Sequence, residues 1–88
     1  MIVKIDKRFD KDCEKIKNEP VSDILKEIIN HLMEAESTKE VQNLKKLKGF
    51  SNIYRIKLSD FRIGLIINKN EIELIRFLPR KDIYKHFP

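Results

Sequence analysis

Apolar residues recur along this chain with two different periods, and the change from one to the other divides it. Phe9, Cys13 and Ile16 stand at i, i+4 and i+7 in a charged stretch, and Val21, Ile24, Leu25, Ile28, Ile29 and Leu32 form a wider apolar face. The spacing predicts two helices. Asp6 caps the first, Asn18-Glu19-Pro20 breaks it, and Pro20 opens the first turn of the second. Ahead of them Ile2, Val3 and Ile5 predict a short β-branched strand. From Ile53 onward the period is two: Ile53-Tyr54-Arg55-Ile56-Lys57-Leu58, then Phe61 to Ile67, then Glu71 to Leu78. Ser59-Asp60 and Lys69-Asn70 read as two-residue turns joining these runs.

Counting outward from the first turn sets Leu58 opposite Phe61, Lys57 opposite Arg62, Ile56 opposite Ile63 and Arg55 opposite Gly64. The second turn pairs Ile67 with Ile72, Leu65 with Leu74 and Ile63 with Arg76. Ile63, Leu65, Ile67, Ile72 and Leu74 then face the helices, while Ile66, Ile75 and Phe77 lie on the face of Arg62. Arg76 lands on the core side, where a guanidinium fits only at a rim. Between helices and strands, Ser37-Thr38-Lys39-Glu40 matches a capping box, predicting a short helical turn through Val41. Lys45-Lys46-Leu47-Lys48-Gly49 leads into the first hairpin strand. The expected fold is α+β: two antiparallel N-terminal helices packed on a small, mainly antiparallel β-sheet in the order β-α-α-β-β-β, as one domain over residues 1–88.

Composition narrows the function classes. The chain has 88 residues, 41% hydrophobic and 38% charged, with a net charge of +5. That balance suits a globular domain with a polyanionic partner: nucleic acid, an anionic membrane surface or an acidic protein. One cysteine, Cys13, excludes an internal disulfide and a multi-cysteine metal site, in keeping with the cytoplasm. No apolar run approaches the ~18 residues that span a bilayer, and Met1 to Asp6 lacks the apolar centre of a signal peptide. A nucleotide-binding glycine loop, metal-ligand spacing and a serine-histidine-acid set are all missing. No cofactor or metal is expected.

The candidate chemistry lies in the strands. Arg55, Lys57 and Arg62 share one face by the hairpin count, although like charges directly across a strand pair cost about 0.2–1 kcal/mol. Function is the usual reason for such a placement. Gly64, in the same patch, leaves room for an anion to approach the backbone. Lys45, Lys46 and Lys48 read either as solvated loop or as an extension of the same positive field. Pro79 ends the last strand, and Arg80 and Tyr84 return beside the hairpin from the segment after it. The plainer readings are solubility for the strand cations and packing for Tyr84. His31 is a surface residue, His86 a terminal one and Cys13 a small core residue.

The order of two helices, then Leu47-Lys48-Gly49, Tyr54-Arg55-Ile56-Lys57, Phe61-Arg62-Ile63 and Arg80-Lys81-Asp82-Ile83-Tyr84, resembles the RelE/ParE superfamily of toxins from type II toxin-antitoxin pairs over essentially the whole chain. RelE-type members are ribosome-dependent ribonucleases that cut messenger RNA without a metal. The resemblance implies that Arg55 and Lys57 match their paired basic positions, Arg62 the arginine after the turn, Arg80 the arginine past the last strand and Tyr84 the tyrosine near the C-terminus. Pro79 stands where many relatives carry a histidine, and the four residues after Tyr84 leave no long terminal helix. On this reading Lys57, beside two guanidiniums that disfavour its charged form, is the general base. Arg55 and Arg62 grip the phosphate, Arg80 steadies charge, and Tyr84 stacks on a base or orients the nucleophile. The implied partners are an acidic antitoxin, the ribosome and messenger RNA. Two alternatives stand beside it: a ParE-like inhibitor of DNA gyrase without nuclease activity, and an inactive RNA-binding member.

Overall fold

The strands join in one sheet of order β1-β5-β4-β3-β2, formed by β1 (Ile2–Ile5), β2 (Leu44–Lys46), β3 (Ile53–Leu58), β4 (Phe61–Asn68) and β5 (Glu71–Pro79). A computed structural model describes all residues, 1–88. β1 lies parallel to β5, and every other pairing is antiparallel. α1 (Lys7–Glu14) and α2 (Val21–Glu34) follow β1, as the helical periodicity predicts. Asp6 caps α1, its side chain accepting from the Arg8 N–H at 2.8 Å. Pro20 sits at the cap of α2, one residue earlier than expected.

Both hairpin turns form where expected. Ser59 and Lys69 adopt positive φ, +54° and +53°, the cost of a two-residue connection between twisted strands. The β3–β4 register agrees with the count at every pair: Leu58 with Phe61, Lys57 with Arg62, Ile56 with Ile63, Arg55 with Gly64. In the β4–β5 ladder, Ile67 pairs with Ile72 and Leu65 with Leu74, but Ile63 pairs with Phe77, because a bulge between Gly64 and Leu65 leaves Ile75 as an extra residue. The bulge turns Arg76 toward α1 and Phe77 into the core beside Phe9 and Phe61, instead of onto the face of Arg62.

Three further elements differ from expectation. Lys45 and Lys46 belong to the edge strand β2, not a loop, and pair with Arg55 and Tyr54. The capping box does not close: Thr38–Glu40 is a single 3-10 turn without a side-chain cap from Ser37, and Glu40 accepts instead from the Glu36 N–H at 3.0 Å. Beyond Pro79 the chain forms a helix, α3 (Arg80–His86).

That helix gives the sheet a second covered face. The main core, between sheet and α1/α2, holds Phe9, Ile16, Leu25, Leu32, Ile56, Ile63, Leu65, Ile72, Leu74 and Phe77. On the opposite face Ile83 and Phe87 pack against Ile53 and Ile75. β4 passes between the two, which explains its nearly unbroken apolar run from Ile63 to Ile67, the mark of a strand buried on both sides.

Candidate functional site

Alternation decides which cations meet. Ile53 faces the α3 core while Tyr54, Ile56 and Leu58 face the main core, so Arg55 and Lys57 point to the α3 side. Cross-strand pairing adds Lys45, opposite Arg55, and Arg62, opposite Lys57. Lys46 pairs with Tyr54 and therefore points to the other side of the sheet, and Lys48 lies past the end of β2. Of the three lysines, only Lys45 joins the patch.

The two arginines are not equally available. Arg55 is half-buried and spends one N–H group of Nη1 on the Asn43 carbonyl at 2.8 Å. Arg62 is 7% exposed, and its Nη1 donates to the carbonyls of Ser59 at 2.9 Å and Phe61 at 2.8 Å. Its guanidinium braces the hairpin turn. Lys45 and Lys57 are exposed. None of the candidate cations takes part in an ion pair, for the salt bridges join Lys4 to Glu71, Arg8 to Asp6, Lys17 to Glu14 and Arg76 to Asp12. A row of cations with no carboxylate counterpart is a surface that attracts an anion.

Gly64 does not leave the space expected of it. An alanine Cβ built there would lie 2.6 Å from Cγ and Cδ2 of the Phe87 ring. The room beside the backbone is occupied by that ring, 4% exposed, rather than open to a phosphate. Sequence reasoning missed this because Phe87 follows a helix that the apolar pattern did not announce.

Arg80 and Tyr84 do arrive at the same end of the sheet. The rungs Lys57–Arg62–Leu78 and Leu58–Phe61–Pro79 run across β3, β4 and β5, and the Arg80 N–H donates to the Asp60 carbonyl in the hairpin turn at 2.7 Å. Ile83 anchors α3, leaving Tyr84 58% exposed. Asp60, Pro79, Arg80, Lys81 and Tyr84 line an open hollow of about 560 Å³. A second hollow of about 410 Å³ lies between α2 and β3, with Ile24, Ile28, Leu32 and Leu58 among its walls and Lys57 at its border.

Asp12 is a further residue the sequence reading passed over. It falls at i+3 from Phe9, inside the apolar stripe of α1, and is 4% exposed. Its Oδ2 accepts from Arg76 Nε at 2.8 Å and from the Phe77 N–H at 2.9 Å, and its Oδ1 from Arg76 Nη2 at 3.1 Å. These bonds hold the Arg76 proton more firmly than in a free guanidinium. A carboxylate at the centre of a helix's apolar stripe is the signal that could have revealed it.

The two histidines and the cysteine fit their plain readings. His31 is exposed and its Nε2 meets the Glu40 carbonyl at 2.8 Å, and His86 is exposed in α3. Burial, with the carboxylates of Asp10, Asp12 and Glu14, pushes the Cys13 thiol up to about 11.

Comparison with known proteins gives concordant matches. The family model described as the ParE toxin of the type II toxin-antitoxin system, parDE, matches residues 3–84. Toxin RelE3 of Methanocaldococcus jannaschii is 38% identical over 65 residues, 73% of this chain and 74% of that protein. The toxin-antitoxin complex RelB-RelE from Methanococcus jannaschii contains a chain that superposes with TM-score 0.77 at 34% identity, covering 97% of this chain and 99% of that one. The archaeal RelE-RelB complex from Pyrococcus horikoshii gives a TM-score of 0.72 at 23% identity, over 93% of this chain and 97% of that one, a likeness of fold.

Proposed function

The chain belongs to the RelE/ParE superfamily of type II toxin-antitoxin toxins, on its RelE-like side, and from that premise we propose that it is a metal-free, ribosome-dependent endoribonuclease that cuts messenger RNA. The supporting observation is the face shared by Lys45, Arg55 and Lys57, free of ion pairs, at the end of the sheet where Arg80 and Tyr84 emerge from β5.

In the proposed reaction Lys57, the exposed amine of that face, takes the proton from a ribose 2′-hydroxyl. The 2′-oxygen bonds to the adjacent phosphorus, the bond to the 5′-oxygen breaks, and that oxygen leaves with a proton from solvent or a neighbouring acid. The products are a 2′,3′-cyclic phosphate and a 5′-hydroxyl. Arg55 and Arg80 stabilise the charge gathering on the phosphoryl oxygens. Arg80 keeps its own proton and acts by charge, because a guanidinium gives it up too reluctantly to serve as an acid. Tyr84, exposed beside the hollow under α3, offers a ring on which a splayed base stacks. Arg62 holds the turn between β3 and β4, and contributes to phosphate binding only by releasing the Ser59 and Phe61 carbonyls.

An acidic antitoxin is the proposed partner in the resting state, since the matching RelE chains were solved in complexes with RelB. The groove between α2 and β3 would seat an apolar segment of it, and its carboxylates would mask the cations. The internal engagement of Arg62, with the ParE description of the matching family model, favours one second reading, a gyrase inhibitor without nuclease activity.

The test is a purified system of ribosomes and a defined message. Native protein cuts the message, while Lys57→Ala, folded by circular dichroism, does not. Equal cutting by Lys57→Ala removes Lys57 from the mechanism. Blocked DNA supercoiling with the message left intact establishes the second reading.

A further inference from the structure

The bulge in β5 lies between the strand ends that fold the sheet and those that build the proposed site. On the near side of it, Leu65 pairs with Leu74; on the far side, Gly64 pairs with Arg76, Ile63 with Phe77, Arg62 with Leu78 and Phe61 with Pro79. A regular ladder counted from Lys69-Asn70 would instead set Ile63 against Arg76 and Arg62 against Phe77. It would bury the guanidinium and carry Phe77 out of the core. Each residue of slip moves a strand by about 3.3 Å and exchanges its two faces.

What holds the shifted register is a carboxylate from α1. β1 ends at Ile5, opposite Leu74, so beyond that point the outer edge of β5 has no strand to pair with. Asp12 takes the place of one. It receives the Phe77 N–H and both arms of the Arg76 fork, one residue past the extra Ile75. The pair is almost dry, at 3% side-chain exposure for Asp12 and 18% for Arg76.

Resting on the proposed nuclease reading, we infer that Asp12 and Arg76 are positioning residues for its site: together they latch the β5 bulge, which sets Arg80 and Tyr84 in phase with Lys57. The route is short. Only Leu78 and Pro79 separate Phe77 from Arg80, whose N–H closes onto the Asp60 carbonyl, so the register at Phe77 fixes where α3 begins. Neither Asp12 nor Arg76 touches the candidate cations, and both lie on the opposite face of the sheet.

The experiment compares native protein with Asp12→Asn and Arg76→Gln in the ribosome assay, and by NMR of the folded proteins. Asp12→Asn keeps an acceptor for the Phe77 N–H but loses the ionic fork. Its kcat falls about a hundredfold with KM for the message-bearing ribosome unchanged, the scale of loss when a reacting group moves by an ångström. The cross-strand backbone contact between Ile63 and Phe77 weakens, and the Arg80 amide loses protection from hydrogen exchange. Arg76→Gln moves the same readouts less and carries the test if Asp12→Asn does not fold. Native-like kcat with the Ile63–Phe77 contact intact in either folded variant overturns the inference. Absence of cutting by the native protein overturns the nuclease reading instead, and the contact and exchange measurements still decide whether Asp12 sets the register.

Discussion

Replacing Gly64 by alanine asks what the missing side chain makes room for. The new methyl group would stand 2.6 Å from Cγ and Cδ2 and 2.8 Å from Cε2 of Phe87, distances no real Cβ tolerates. β4 is fixed by ladders on both sides, so the ring has to leave. Expelling a buried phenylalanine forfeits about 1.5–3 kcal/mol of apolar burial. Alanine in a strand interior recovers about 0.5–1 kcal/mol relative to glycine. The net prediction is a loss of about 0.5–2.5 kcal/mol, and each kcal/mol lowers the melting temperature of a domain this size by about 4–8 °C. Denaturant and thermal unfolding of native protein, Gly64→Ala, Phe87→Ala and the double variant form the assay. Because both single changes remove the same packed ring, the double variant is no less stable than Phe87→Ala alone. A Gly64→Ala protein as stable as the native one, or costs that add in the double variant, refutes the reasoning and returns Gly64 to the role of an open notch.

Other outcomes follow from the titrating groups. With the Cys13 thiol pushed up to about 11, alkylation at pH 8 runs roughly two orders of magnitude slower than for a free cysteine thiol and keeps rising beyond pH 9; a rate matching a model thiol contradicts the burial. The Arg8 side-chain and backbone hydrogen bonds hold the Asp6 carboxyl below the usual carboxylate range. A depressed pKa contributes stability that is whole above the unfolded value of about 3.9 and is lost as pH falls through the folded one. Melting curves of native protein and Asp6→Asn therefore differ at neutral pH and converge in acid, and a constant difference across that range removes the charged cap from the account.

Much of the hairpin architecture could be read from the sequence because period-two alternation and turn chemistry are local. Ser59-Asp60 and Lys69-Asn70 fixed where pairing starts, and six residues on either side of the first turn follow at once. The bulge could not be read that way. Ile75 and Arg76 look like ordinary members of an alternating strand, and what displaces them is a carboxylate 64 residues from Arg76 along the chain. The strand β2 was hidden because Leu44-Lys45-Lys46 is short and cationic, as edge strands often are. The wet face of the first hairpin was misjudged for a related reason. Ile53, Ile66 and Ile75 sit among cations in the pattern, but α3 and Phe87 cover that side, Gly64 lies under the Phe87 ring, and Arg62 is buried with its guanidinium on the carbonyls of its own turn. Two parts were legible: Arg55 and Lys57 share one face, and the tail bearing Arg80 returns to the turn of the same hairpin, since these depend only on alternation and on where Pro79 ends the strand.

The chemistry of the cut ends is the most direct trial of the central claim. Native protein, ribosomes and a defined message are incubated together, and the fragments are mapped and their termini identified. Attack by the 2′-hydroxyl predicts 5′-hydroxyl ends and 2′,3′-cyclic phosphates, both lost in Lys57→Ala. An intact message, or fragments bearing 5′-phosphates, would contradict the account.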